Sequence, residues 1–136
     1  MDAVHETQHK NGVIAIVDDD APLREALGSV MKAAGYAIKT FATAEEFLGT
    51  ADRQDTTCLI LDVRLPGMSG LELQKRLQEK DGKLPIIFVT AHGDASLRDL
   101  VLRAGASDFL NKPVRSDTLL KAIRAALETN GTDTHA

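Results

Sequence analysis

The sequence predicts an α/β fold in which five parallel strands, each followed by a helix, form a doubly wound sheet covered on both faces. Three observations predict it. Apolar segments alternate between short β-type runs and longer stretches of helical spacing, and this alternation occurs five times. The first, third and fourth short runs are almost continuously apolar, the pattern of strands buried on both faces. The longer stretches carry the start and stop signals that unpaired backbone groups at helix ends require.

Val13–Val17 is the first strand. Asp20 caps the helix that follows, ahead of Pro22, whose missing N–H is harmless in a first turn. Leu23, Leu27, Val30, Met31 and Ala34 form the inner stripe of that helix, and Ala34-Gly35 ends it. Tyr36–Phe41 is the second strand, and Thr43-Ala-Glu-Glu46 opens the next helix as a capping box. Cys58–Leu61 is the third strand. Ser69-Gly-Leu-Glu72 is a second capping box, and the helix it opens ends at Asp81-Gly82. Ile86–Thr90 leads to a fourth helix from Asp94 to Ala104, turned by Gly105. Ser107–Leu110 is the fifth strand, and Leu119, Leu120, Ile123 and Leu127 line the last helix. Residues 13–128 thus form one domain, between a polar extension (1–12) and a polar tail (129–136), both expected to be flexible.

A domain of 136 residues buries roughly 65–70% of the surface its unfolded chain exposes, so it needs no disulfide or structural metal to fold. The one cysteine, Cys58, sits in an apolar run and reads as a buried, inert thiol. Sixteen Lys and Arg against 20 Asp and Glu, with four Phe, one Tyr and no Trp, supply neither a basic patch nor a stacking platform, which argues against direct nucleic-acid binding. The apolar runs fall far short of the roughly 20 residues a membrane span needs, and the first dozen residues lack an apolar leader. A cytoplasmic protein without membrane contact is the expectation.

In an open parallel sheet the ligand site lies outside the carboxyl ends of the strands. Asp18, Asp19 and Asp20 follow the first strand, Asp62 follows the third, Thr90 ends the fourth, and Asn111-Lys112-Pro113 follows the fifth. Taken singly these read as a solvated cap, a turn residue, a strand end and a surface charge. Gathered at one edge, the carboxylates repel unless a cation balances them. A hard divalent ion beside Lys112 does so, and magnesium accepts two carboxylates, a backbone carbonyl and waters while leaving room for a phosphoryl oxygen. Asp62 stands alone at the end of the central strand, before a loop held by Pro66-Gly67, and can approach a phosphorus atom. Asp18 and Asp19 are better placed to hold the metal, while Lys112 and Thr90 counter charge on the phosphoryl oxygens. An aspartyl phosphate is the implied intermediate.

The segments Ile14-Ala-Ile-Val-Asp-Asp-Asp20, Leu59-Ile-Leu-Asp-Val-Arg-Leu-Pro-Gly-Met-Ser-Gly70, Val89-Thr-Ala-His-Gly-Asp94 and Gly105-Ala-Ser-Asp-Phe-Leu-Asn-Lys-Pro113 resemble the receiver domain of two-component response regulators, most closely its FixJ-type branch. The resemblance runs over residues 13–128 and implies the flavodoxin/CheY-like (βα)5 topology. It implies Asp62 as phosphoacceptor, Asp18 and Asp19 as the acidic pair, and the backbone carbonyl of Arg64 as a further ligand of Mg2+. Thr90, Phe109 and Lys112 become the switch set, with a cis Lys112-Pro113 peptide. The implied donor is a sensor histidine kinase or a histidine phosphotransfer protein, and the domain catalyses only its own phosphotransfer and slow dephosphorylation. Many receivers precede a DNA-binding domain, so a stand-alone regulator and a piece of a longer protein are both open.

Two other readings compete. A haloacid-dehalogenase-like phosphatase would use Asp18-Asp19-Asp20 as its Asp-x-Asp pair, but Pro22 stands where Thr or Val is expected and there is no room for a cap domain. A pseudo-receiver that accepts no phosphate would leave a chemical position unfilled, and none is.

Further surfaces follow. Pro22, Leu23 and Ala26, flanked by Pro113 and Val114, form an apolar strip suited to a docking kinase. Arg64 and His92, each two residues past a site residue, should overhang the phosphoryl group and set its lifetime. On the fourth helix Leu97, Leu100, Val101, Leu102 and Ala104 sweep roughly 200°, wider than one buried face, so Leu100 is expected to be exposed. It is expected on the face shared with the fifth strand and last helix. Phosphorylation should draw Thr90 in, let Phe109 turn inward, and prepare that face for a second copy or an effector protein.

Overall fold

The structure, a computed structural model, describes residues 12–135, so the predicted extension up to residue 11 lies outside it, as does residue 136. Five strands, β1 (Val13–Val17), β2 (Ala37–Phe41), β3 (Thr56–Leu61), β4 (Ile86–Thr90) and β5 (Asp108–Asn111), alternate with α1 (Ala21–Ala33), α2 (Ala44–Gly49), α3 (Gly70–Asp81), α4 (Ala95–Arg103) and α5 (Ser116–His135). The sheet is parallel with order β2-β1-β3-β4-β5, the doubly wound topology the alternation predicts.

Period-two alternation sorts the strand residues onto two faces. Ala15, Val17, Leu59, Leu61 and Phe88 face Phe47 of α2, Leu73 and Leu77 of α3 and Val101 of α4. Ile14, Ile16, Cys58, Ile60, Ile87 and Val89 face Leu27 and Met31 of α1 and Leu119 and Ile123 of α5. Each such large side chain removed from water contributes about 1.5–3 kcal/mol, which fixes the sheet between its helix layers. Register then levels the strand ends: Val17 lies opposite both Phe41 and Leu61, and Thr90 opposite Asn111.

The predicted caps form in α1 and α2. The Asp20 carboxylate accepts the Leu23 N–H at 3.2 Å. The Thr43 hydroxyl accepts the Glu46 N–H at 3.1 Å, while the Glu46 carboxylate accepts the Thr43 and Ala42 N–H groups. At α3 only half the predicted box forms, because Ser69 accepts the Glu72 N–H but the Glu72 carboxylate turns to Arg76 at 3.1 Å. An i,i+4 ion pair and a capping box compete for the same carboxylate. Gly35 and Gly105 close α1 and α4 at positive φ, whereas Gly82 closes α3 at −68°.

Several boundaries shift. β2 starts at Ala37 instead of Tyr36, and β5 runs Asp108–Asn111 instead of Ser107–Leu110. A short 3₁₀ helix, Ala51–Asp55, precedes β3, which starts at Thr56 instead of Cys58 because Thr56 pairs with Val13, and the Thr57 hydroxyl also donates to the Val13 carbonyl at 3.1 Å. The backbone of α5 continues to His135, past the predicted end at 128; Gly131 lowers helix stability without breaking it.

Candidate functional site

Because β1 and β3 are neighbours with level ends, the residues just beyond them meet. The Asp18 N–H donates to the Phe41 carbonyl and the Asp62 N–H to the Val17 carbonyl, each at 3.1 Å. Both carboxylates are buried, Asp18 being 3% and Asp62 6% exposed, while Asp19 is exposed. One oxygen from each of Asp18, Asp19 and Asp62 lies within 4.8 Å of the others. Lys112 enters from the loop after β5, its Nζ 2.8 Å from Asp62 Oδ2 and 3.0 Å from Asp18 Oδ2. The Lys112 N–H donates to the Thr90 carbonyl at 2.8 Å, Thr90 is buried, and the Lys112–Pro113 peptide is cis. The remaining oxygens are engaged too: Asp18 Oδ1 accepts the Asp20 N–H at 2.9 Å, and Asp62 Oδ1 the Arg64 N–H at 3.2 Å.

One ammonium thus contacts two of the three clustered carboxylates. Burial pushes the Asp18 carboxyl above the usual carboxylate range, outweighing its bond from the Asp20 N–H and the pull of Lys112. Burial also works against the charged form of Lys112, but hydrogen bonds and charge from Asp62 and Asp18 outweigh it and raise the amine above its ordinary value. The Lys112 shift reports the carboxylates gathered around a single ammonium. Three hard oxygens, with no imidazole or thiolate among them, fit a magnesium ion. When bound, such an ion neutralises and polarises phosphoryl oxygens.

Three contributors carry no clear sequence signal because their partners are backbone atoms. Arg24, in the first turns of α1, reaches back so that Nη1 donates to the Asp18 carbonyl at 2.6 Å. Gly70 packs against Asp62: a Cβ there would overlap the Asp62 carbonyl oxygen. Asn111 Oδ1 accepts the Gly93 N–H at 3.1 Å, tying the end of β5 to the loop after β4. The legible hint was a small residue at the start of α3, where the capping motif draws attention to Ser69 and Glu72 instead.

Arg64 and His92 are exposed, each two residues past a site residue in the chain. Pro22, Ala26 and Pro113 are exposed as well, whereas Leu23 and Val114 are partly buried against the α1–α5 core. Asp20 is spent as the α1 cap and stands outside the acidic triad, so a dehalogenase-like Asp-x-Asp pair is not assembled.

Phe109 is 3% exposed, with its ring pressed against Gly93, where no side chain obstructs it. One expectation is corrected. Leu100 is 55% exposed, as expected, yet it lines a groove with Leu71, Gln74, Lys75 and Gln78 of α3, away from β5 and α5. The β5-facing flank is marked by Arg98, whose Nη1 donates to the Phe109 carbonyl at 3.2 Å; two residues on, Leu100 is about 200° around the helix. The side-chain amides of Gln74 and Gln78 bond the Val101 and Ala104 carbonyls and hold the end of α4 against α3. Leu97 is partly buried against the α2–α4 core.

Residues 14–124 match the model of the response regulator receiver domain. The response regulator protein TodT of Pseudomonas putida is 47% identical over 116 residues, which are 85% of this chain and 51% of that protein. The transcriptional regulatory protein FixJ of Bradyrhizobium diazoefficiens is 37% identical over 116 residues, 85% of this chain and 57% of that one. The solved structure of response regulator StyR superposes with a TM-score of 0.81 at 40% identity, covering 90% of this chain and 62% of that one. The chain spans about half the length of the curated relatives it matches. A match that begins in β1, passes through every strand and reaches into α5 places the chain in the response regulator receiver family.

Proposed function

We propose that the chain is a phosphorylation-activated receiver that takes a phosphoryl group from a histidine kinase or histidine phosphotransfer protein onto Asp62. The observation that carries this reading is the buried Asp62 carboxylate, held by Lys112 on one oxygen and by the Arg64 N–H on the other, beside Asp18 and Asp19. An Asp62 oxygen attacks phosphorus, the phosphorus–nitrogen bond to the donor imidazole breaks with its electrons returning to the ring, and an acyl phosphate results. Asp18, Asp19, Asp62 and the Arg64 carbonyl would hold magnesium. The Lys112 ammonium balances charge on the phosphoryl oxygens, and the Thr90 hydroxyl donates to one of them.

Similarity to FixJ and TodT supports the FixJ-type branch and a cytoplasmic two-component pathway. The exposed Pro22, Ala26 and Pro113, close to Asp19 and Lys112 in the chain, support docking of the donor there. The output surface is the α4–β5–α5 face, toward a second copy or an effector protein; Arg98 joins α4 to β5 across it. The test is incubation with a small acyl phosphate followed by intact mass. One added phosphoryl group with magnesium and none with a chelator is expected; an adduct indifferent to the ion contradicts the reading.

A further inference from the structure

We propose that Glu45 is a positioning residue for the phosphorylation site. It acts from α2 on the loop that leads away from Asp62. This inference rests on the magnesium-dependent reading above.

Local sequence aims the side chain. The reciprocal Thr43–Glu46 cap fixes the start of α2, and Ala44 and Phe47 are fully buried, so the first turn cannot rotate. Glu45 is left pointing outward between them, and its Oε2 accepts the Met68 N–H at 2.9 Å, 23 residues away. The carboxylate also rests on the bare Cα of Gly67, whose φ is +76°: a Cβ there would lie 2.6 Å from Oε2. A glycine therefore serves twice, by making the turn and by admitting the carboxylate.

The loop so held is the one carrying Asp62 at its start and Arg64 two residues on. Two hydrogen bonds inside the loop accompany it, the Arg64 N–H to Asp62 Oδ1 at 3.2 Å and the Gly70 N–H to the Val63 carbonyl at 2.9 Å. They close the base of the loop, while Leu65 and Met68 pack against the α2–α4 core. Glu45 adds the polar tie that joins the tip to α2, which itself packs on the sheet through Phe47. Releasing the tip loosens the backbone that must present the Arg64 carbonyl beside the acidic triad.

The test compares the parent with Glu45→Ala and Glu45→Gln by isothermal titration with magnesium and by hydrogen exchange of the Met68 amide. Gln keeps an oxygen that accepts the Met68 N–H, whereas Ala does not. In Glu45→Ala, Met68 exchange should accelerate and the magnesium Kd should rise on the order of fivefold, below the 10–100-fold typical of groups that bond a ligand directly. Glu45→Gln should stay within about twofold of the parent in both. A purely structural role, with the charge favouring the N-terminus of α2, would lower the melting temperature of both variants and leave Kd unchanged. That result overturns the proposal, as does a Gln variant as impaired as the Ala variant. If the parent itself binds no magnesium, the reading of the whole site fails and this inference with it; binding by the parent with unchanged variants sinks this inference alone.

Discussion

Replacing Gly70 by alanine sets two physical effects against each other. In an unobstructed helix alanine is better than glycine by about 0.5–1 kcal/mol, since glycine loses more backbone freedom on folding. At Gly70 the added Cβ would overlap the Asp62 carbonyl oxygen and lie 3.0 Å from the Asp62 carbonyl carbon and Val63 Cα, where ordinary contact begins at 3.4 Å. All three obstacles are backbone atoms and cannot swing aside. Overpacking of this kind costs about 1–3 kcal/mol, so it outweighs the helix gain and Gly70→Ala should lose roughly 1–2 kcal/mol. The atoms that move belong to the acceptor residue itself, and misplacement approaching 1 Å can slow a reaction about 100-fold. Urea denaturation and the initial rate of phosphorylation by an acyl phosphate measure the two effects. Gly49, with nothing within 4 Å of its would-be Cβ, supplies the control, and Gly49→Ala should be neutral or more stable. Should Gly70→Ala gain stability as Gly49→Ala does and react at the parent rate, the reasoning from close approach is refuted.

Burial raises the Asp18 pKa, so the folded state holds that proton more tightly than the unfolded chain; the resulting stability is full below the unfolded pKa and is lost as pH rises through the folded one. In magnesium-free buffer Asp18→Asn should therefore gain on the parent as pH rises from the acid range to neutrality, and melting curves with a pH-independent gap would contradict this. Burial pushes the Cys58 thiol up to about 12, so iodoacetamide at mildly alkaline pH should label the unfolded chain and spare the folded one. Arg64→Ala and His92→Ala should each change the lifetime of the phosphoryl group, read by loss of the mass adduct; if both leave it within about twofold, neither exposed side chain governs water attack.

Much of the fold was legible because its signals are local. Continuous apolar runs mark β1, β3 and β4, and Asp20 and Thr43 act as caps using atoms within a few residues of themselves. The acidic triad was legible for a topological reason: parallel strands must all deliver their following residues to one edge. What could not be read depends on partners distant in sequence. A helical wheel orders the residues of α4 relative to one another but not relative to α3, so the exposure of Leu100 was foreseeable and its flank was not. Phe109 lies inward because Gly93 makes room for it, a contact with no periodicity. Arg24, Glu45 and Gly70 act on backbone atoms, which every residue has, so the sequence gives no mark of the partner.

The central claim is that Asp62 accepts the phosphoryl group, and reductive trapping tests it most directly. Protein treated with magnesium and a small acyl phosphate is reduced with borohydride, which converts an aspartyl phosphate to homoserine, then digested and sequenced by mass. Homoserine at position 62, and nowhere in Asp62→Asn, is predicted. Homoserine at Asp18, Asp19 or Asp20 in place of Asp62, or its absence throughout despite an intact-mass adduct, would contradict the account.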